Sequence, residues 1–416
     1  MSVALSKPMK FAIELIALAL LVLLSLLSSQ VSADSFENIL RKTAINSGVL
    51  PSQDLYDNRD ESLVKPGKTF FESEKLSLNR NISCKTCHLK EFSSTDGIPN
   101  AVGVGGEDSG PKRILAGRGK FIPRNTLPLW GAGGLGFTNF FWDGKVDFSN
   151  GSKISPFGSN APSDDPLVIA VHLPAIEIGE MLVDDSKVKK YKKETTDDAS
   201  KVYQLMVDRL RKHEQKAIKE LAMILGKEES EVEFVDIARA IASFIRMEFK
   251  IKKTRFEEFL FEGGKLSEDE LKGGLIFYGK GKCSNCHDGP YFTDSKFHVI
   301  PTPQLGFGKN GFGVDYGRFN VTFQPNDLYK FRTPPLYNVT KTAPYGHSGS
   351  AKTLEEVITY HFDPLKFAEI NTMDQLERHE YYKRLSSTSE NMLHISYLTT
   401  QEVSYLVSFL GSLSFD

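Results

Sequence analysis

The sequence predicts a mainly α-helical protein of two similar halves, each carrying long irregular insertions. Three observations predict it. The pentapeptide Cys-x-x-Cys-His occurs twice, at Cys84-Lys85-Thr86-Cys87-His88 and at Cys283-Ser284-Asn285-Cys286-His287, and together the copies use all four cysteines. Apolar residues recur at helical spacing over residues 201–225, 231–249, 267–278 and 399–410. Residues 95–157 and 288–345 are instead rich in Gly, Pro, Asn and Asp, with little helical period. A chain of 416 residues is long enough for two domains with a core each, and one pentapeptide falls in each half.

In Cys-x-x-Cys-His the two thiols add across the vinyl groups of one haem. The adjacent histidine then reaches the iron, giving covalent haem c with a fixed proximal ligand. Such a dithiol also occurs in redox and zinc sites. Two copies with no cysteine left over, each closed by a histidine, favour haem. The halves are then two cytochrome-c-like haem domains, expected at residues 34–250 and 251–416.

Taken in order, the chain opens with an export signal. Lys7 and Lys10 precede an apolar run over residues 11–27, then small residues ending Val31-Ser32-Ala33, which predicts a signal peptide at 1–33 and Asp34 as the first mature residue. An uncleaved anchor is the alternative, although the run is near the minimum spanning length and contains Glu14. Export to the periplasm suits covalent haem, and an oxidising compartment suits a chain with no spare thiol. A short amphipathic piece at 36–40 and a segment at 67–76 lead into the first pentapeptide. The insertion at 95–157 is too long for an idle connection and reads as functional loop over a haem.

In the helix over 231–249, Phe234, Ile237, Ala238, Ile241, Phe244 and Ile245 face inward. Ser267 with Glu270 forms a capping box ahead of Leu271, Leu275 and Tyr278, and Thr399 with Glu402 opens the last helix. A net charge of −2 gives no electrostatic case for nucleic acid. The mixed charges between Asp184 and Glu220 read as a solvated face.

Each haem iron needs a sixth position, filled for electron transfer and open for chemistry. Two of nine histidines are proximal. No histidine lies between His88 and His172, and no methionine between His88 and Met181. The loop after the first motif therefore supplies no strong sixth ligand, which predicts an open first haem.

With these residues in view, the chain resembles the bacterial di-haem cytochrome c peroxidase superfamily, which includes the methylamine-utilisation enzyme MauG. The likeness rests on Ile82-Ser83-Cys84 to His88, Arg124-Asn125-Thr126, Phe141-Trp142-Asp143-Gly144, Pro174 with Glu180-Met181, and Cys283 to His287 with Phe292-Thr293-Asp294. It continues through Phe331-Arg332-Thr333-Pro334, Thr342-Ala343-Pro344-Tyr345-Gly346-His347 and Thr353-Leu354-Glu355-Glu356. The resemblance implies that Glu180 is the distal acid-base group over the first haem, where a carboxylate takes a proton from one peroxide oxygen and returns it to the other. It implies that Pro174 lines that pocket and that Trp142 relays electrons between the haems. It further implies that Asn125 and the carbonyls of Thr342 and Pro344 hold one calcium ion. Read without it, Glu180 is a solvated helix residue and Trp142 ordinary core.

Two departures from the family pattern stand out. The distal histidine that follows the first motif in many members is absent, which implies activity without prior reduction. Ala170 stands where many members carry a pocket glutamine; His172 nearby substitutes for it or lies on the surface. At the second haem the family's axial methionine matches His361 here, with Tyr360 or His347 as competing ligands. A second imidazole stabilises ferric and higher states relative to a thioether. His298 is placed to bond a propionate, and His213, His379 and His394 read as surface.

The implied activity is reduction of hydrogen peroxide at the first haem with electrons from a small c-type cytochrome or cupredoxin. Two alternatives remain open at this stage: a MauG-like oxidase drawing electrons from side chains of a partner protein, and a pure electron carrier with both irons six-coordinate. Peroxidases of this family commonly form homodimers.

Overall fold

The computed structural model describes residues 35–77, 80–116, 119–182 and 196–416. The export signal read at 1–33, with its junction at Asp34, lies outside them. No helix among the described residues is long and apolar enough to cross a membrane.

Helices carry the fold, as the periodicity predicts. Before and around the first motif come α1 (35–46), α2 (Val64–Glu72) and the single turn α3 (Cys84–Cys87). After the long insertion come α4 (Pro166–Ile176), α5 (Thr196–His213), α6 (Gln215–Leu225) and α7 (Phe234–Glu248). The second half holds α8 (Arg255–Phe261), α9 (Glu268–Tyr278), α10 (Phe319–Thr322), α11 (Leu354–Tyr360), α12 (Gln375–Ser386), α13 (Glu390–Leu393) and α14 (Thr400–Gly411). Strand structure among the described residues is confined to two-residue antiparallel pairs that pin the loops, such as Asn139–Phe140 against Val146–Asp147 and Phe297–His298 against Phe331–Arg332.

One crossing is built twice. In the first half α2 packs on α7, and a Cβ on Gly67 would run into the carbonyl oxygen of Ala240. In the second half α9 packs on α14, and a Cβ on Gly273 would run into the carbonyl oxygen of Tyr405. A residue without a side chain lets two backbones touch, so the helix that leads into each pentapeptide is locked to the last helix of its half. Phe277 and Phe409 are fully buried at the second crossing, and each contributes about 2–3 kcal/mol through removal from water. Packing therefore outweighs helix propensity here.

Two cores result. The first draws on residues from Leu63 to Phe249, and the second on Ile251 to Phe415. Leu40, Ala44, Val49 and Leu55 from the N-terminal segment also pack in the second core, with Leu40 lying over Gly274.

The capping boxes form as read. Glu270 Oε2 accepts from the Ser267 amide at 2.8 Å and Glu402 Oε2 from the Thr399 amide at 2.8 Å. The periodic stretch over 201–225 is two helices rather than one. The chain leaves helical geometry at Glu214 (φ −119, ψ 40), whose carboxylate accepts from Ser73 Oγ at 2.7 Å. That turn lets α6 as well as α5 reach the core.

Candidate haem centres

At the first motif, Ser83 and Thr86 cap the turn that presents both thiols, the Ser83 amide donating to Thr86 Oγ1 at 3.0 Å. His88 Nδ1 lies 2.8 Å from the Ser94 carbonyl. A carbonyl can only accept, so Nδ1 carries the proton and Nε2 keeps its lone pair for a metal. Burial pulls the His88 pKa down to about 4, which keeps the imidazole neutral. The carbonyl is itself held in place: Ser94 Oγ accepts from the Leu129 amide at 2.8 Å, and both Ser93 and Ser94 take left-handed backbone conformations.

Glu180 follows α4 in a turn closed by the bridge of Ile178 to Leu182. The Val104 amide donates to the carbonyls of Gly179 and Glu180, both at 3.1 Å, and Gly103 lies against the same backbone with no room for a Cβ. Burial first, and then the Glu180 charge, push the Cys84 thiol up to about 12; burial, Asp96 and then Glu180 likewise raise Cys87. The carboxylate thus stands within electrostatic reach of both haem-attachment sulfurs. Burial raises the Glu180 pKa to about 7, against a lowering by Lys145 and a smaller raising by Glu177. Lys145 Nζ sits 3.5 Å from Glu177 Oε2 and 4.3 Å above the Phe141 ring. Glu180 is therefore not the solvated helix residue of the plain reading. Pro174 lies inside α4, six residues before it, and its carbonyl accepts from the Glu177 amide.

At the second motif a cavity of about 1610 Å³, mouth included, is lined by Cys283, Cys286, His287 and His361. His287 Nδ1 is 2.9 Å from the Phe292 carbonyl and His361 Nδ1 is 2.7 Å from the Val357 carbonyl. By the same tautomer argument both rings keep Nε2 free. Burial, and among the charges His361, lower the His287 pKa, to about 4, so the two rings share one space. The competitors differ. His347 also lines the cavity, but its Nε2 is engaged by Gln304 Oε1 at 2.9 Å and its ring stacks on Phe331 at 3.8 Å. Tyr360 is buried beside Phe367 and is not among the lining residues.

A haem fits this cavity on a further observation. Arg332 lines it, and its Nη1 is buried with no partner among the described residues, while Nε donates to the Phe141 carbonyl at 3.1 Å. Burial pulls the guanidinium pKa down to about 10. A propionate would supply the missing acceptor and counter-charge. Sequence reading noted Arg332 only as part of a motif. It also missed Met392, which is buried in α13 and lines the same cavity.

Part of the second cavity's wall comes from the first half. Asn125 and Trp142 both line the second cavity, and Trp142 Nε1 donates to the Asn125 carbonyl at 2.9 Å. The Asn125 side-chain amide lies 2.6 Å from the Pro344 carbonyl and 3.4 Å from that of Gly346. Turning the amide by half a rotation would set three oxygens around one point, a donor set that suits calcium. Thr342 lines the cavity beside them, with its hydroxyl bonded to the Val339 carbonyl.

Arg124 binds the wall to the second half. It reaches Asp143 at 2.6 Å and grips Asp315 through two bonds of 2.8 and 2.9 Å. Although burial works against it, Arg124 holds the Asp143 carboxyl well below the usual range.

The remaining histidines sort cleanly. His172 is neither on the surface nor free in a pocket. It is buried among Phe157, Tyr203 and Phe234, with Nδ1 2.7 Å from the Val168 carbonyl. His298 lines the second cavity and bonds Asp294 Oδ2 at 2.8 Å. His213, His379 and His394 are exposed.

Comparison with known proteins points to di-haem peroxidases and MauG-like proteins. A profile of the di-haem cytochrome c peroxidase family matches residues 61–265. The methylamine utilization protein MauG of Methylorubrum extorquens is 26% identical over 306 residues, covering 72% of this chain and 68% of that protein. The cytochrome c551 peroxidase of Pseudomonas aeruginosa is 26% identical over 298 residues, 70% of this chain and 69% of that one. Among solved structures, a MauG-like protein associated with microbial copper homeostasis superposes with a TM-score of 0.62 at 23% identity, covering 88% of this chain and 92% of that one. The di-haem peroxidase BthA of Burkholderia thailandensis gives 0.61 at 17% identity, covering 88% and 89%. These superpositions establish the fold.

Proposed function

This chain belongs to the di-haem cytochrome c peroxidase and MauG superfamily, with two haem c groups, and from that premise we propose that it reduces hydrogen peroxide at the haem of Cys84, Cys87 and His88, with electrons arriving through the haem of Cys283, Cys286 and His287. The observation that carries the direction is the difference between the two sites. A half-buried carboxyl with a pKa near 7 stands by the first pair of thiols, whereas a second free imidazole, His361, shares the cavity of the other.

The haems supply the redox chemistry; the chain supplies binding, orientation and protons. His88 and His287 are fixed in the tautomer that would offer Nε2 to iron, and His361, in the same cavity as His287, would offer the second haem a further imidazole nitrogen. Glu180 takes a proton from the near oxygen of peroxide and returns it to the far one, for which a pKa near the working pH is best. Lys145, by lowering that pKa, keeps a fraction of the carboxyl ionised at neutral pH. Pro174 lines the approach, and Trp142, in the shared wall, passes electrons. Asn125, Thr342 and Pro344 would hold a calcium ion, which would stiffen the wall.

The donor is a small c-type cytochrome or cupredoxin, the protein works in the periplasm after removal of residues 1–33, and it pairs as a homodimer. A test needs only ferric protein and peroxide. The ferric EPR spectrum is expected to show one high-spin and one low-spin haem, and peroxide is expected to react without prior reduction. Two low-spin haems, or no reaction until one is reduced, would overturn the assignment of the first haem.

A further inference from the structure

Trp130 is the feature of the interior that the proposed chemistry leaves unused. It packs against both hydrophobic cores, and its surroundings link the two proximal histidines. From His88 the rings of Phe71, Phe249 and Trp130 follow at centroid spacings of 6.4, 6.1 and 5.6 Å. From Trp130 the chain continues to Phe415 at 4.8 Å, Tyr337 at 6.3 Å and Phe292 at 5.3 Å. Phe292 then ends the path, because its own carbonyl accepts the His287 Nδ1 proton at 2.9 Å. At the first haem a hydrogen-bonded route runs beside the aromatic one. Trp130 Nε1 donates to the Ser93 carbonyl at 3.0 Å and to Ser93 Oγ at 2.8 Å, and the next residue, Ser94, holds His88.

Of the rings on this path, only Trp130 and Tyr337 are oxidisable; phenylalanine and the ligating imidazoles are not. Tyr337 must lose its phenolic proton as it loses an electron. Its hydroxyl donates to the Pro290 carbonyl at 3.2 Å, which cannot take a proton, and burial raises its pKa further. An indole faces no such demand. It can give up one electron and keep its Nε1 proton on the bonds to Ser93, so no bond breaks and no proton leaves.

We propose that Trp130 is a second oxidisable relay between the haems, on their proximal side and separate from Trp142. It rests on the peroxidase reading for its oxidant. Peroxide takes two electrons and two protons to give two waters. The first centre, oxidised by peroxide, draws one electron from the indole, leaving an indole cation radical, and the reduced iron of the second centre returns one electron to it.

The test uses holoprotein in three forms: wild type, Trp130→Phe, and Phe415→Leu, which breaks the path while leaving the indole in place. Freeze-quench EPR after peroxide is expected to show an indole radical in wild type and loss of the Trp130 component in Trp130→Phe, while the resting variant keeps both ferric haem signals. Flash reduction of the second haem in peroxide-treated protein is expected to be followed by slower transfer to the oxidised first centre in both variants. A radical whose yield and line shape are unchanged in Trp130→Phe, or transfer equally fast in all three proteins, would overturn the relay. If peroxide fails to react with wild type, the peroxidase reading falls. The relay then falls with it, because nothing else in the scheme can oxidise the indole, whereas a wild type that reacts with peroxide and keeps its radical unchanged in Trp130→Phe loses the relay alone.

Discussion

Replacing Glu180 by glutamine removes the proton carrier while keeping the size and shape of the side chain. A positioned general acid-base group contributes about 10²–10⁴-fold, so the second-order reaction of ferric protein with peroxide is expected to fall within that range. The pH dependence is the more discriminating readout. Burial holds the carboxyl at about 7, and taking the proton from peroxide requires the ionised form. At about pH 6 such a group is ionised in roughly one molecule in ten, whereas an unperturbed glutamate would be almost wholly ionised. The rate should therefore drop about tenfold for each unit of pH below about 7, and Glu180→Gln should be slow and flat. Stopped-flow mixing with excess peroxide, followed in the Soret band, measures both. A wild-type profile that stays flat down to about pH 5, or a Gln variant that keeps the wild-type slope, would show that another group moves the proton.

Three further outcomes follow from the geometry. Lys145→Met removes a cation that lowers the Glu180 pKa, so the same rate profile should move to higher pH; a profile that shifts down or stays put would contradict the pairing. His361→Met exchanges an imidazole for a thioether and should raise the reduction potential of the second haem in a redox titration. An unchanged potential would point to Met392 or His347 as the ligand instead. Arg124→Met strands Asp143 and Asp315 as buried carboxylates and should cost about 3–5 kcal/mol of stability, read by urea titration of the holoprotein. The loss should shrink toward acid pH as those carboxyls protonate, since in wild type Arg124 holds the Asp143 pKa down.

Much of this architecture is legible because local chemistry carries it. The two pentapeptides, the Ser267 and Thr399 caps and the stripe from Phe234 to Ile245 each depend on residues within a turn or two of one another, and each forms as read. What escaped depends on contacts distant in sequence. At the break, Glu214 accepts a hydrogen bond from Ser73, 141 residues away. The membership of Leu40 in the second core comes from a glycine more than two hundred residues on. Arg332 becomes informative only when its guanidinium is found buried with an unmet donor. His172 illustrates the converse: a histidine two positions from Ala170 looks like a pocket residue until its aromatic nest is seen.

The partition that Asn125, Trp142 and Arg124 build has a consequence for how this molecule can vary. Because the second cavity borrows a wall from the first half, neither half could be excised, swapped or retuned as a free-standing module. A change in the first-half segment that carries Asn125 and Trp142 reaches the cavity of the second motif directly, so drift in the two halves must proceed in step. The spacing between them is fixed when the chain folds and needs no docking event to restore it on each turnover.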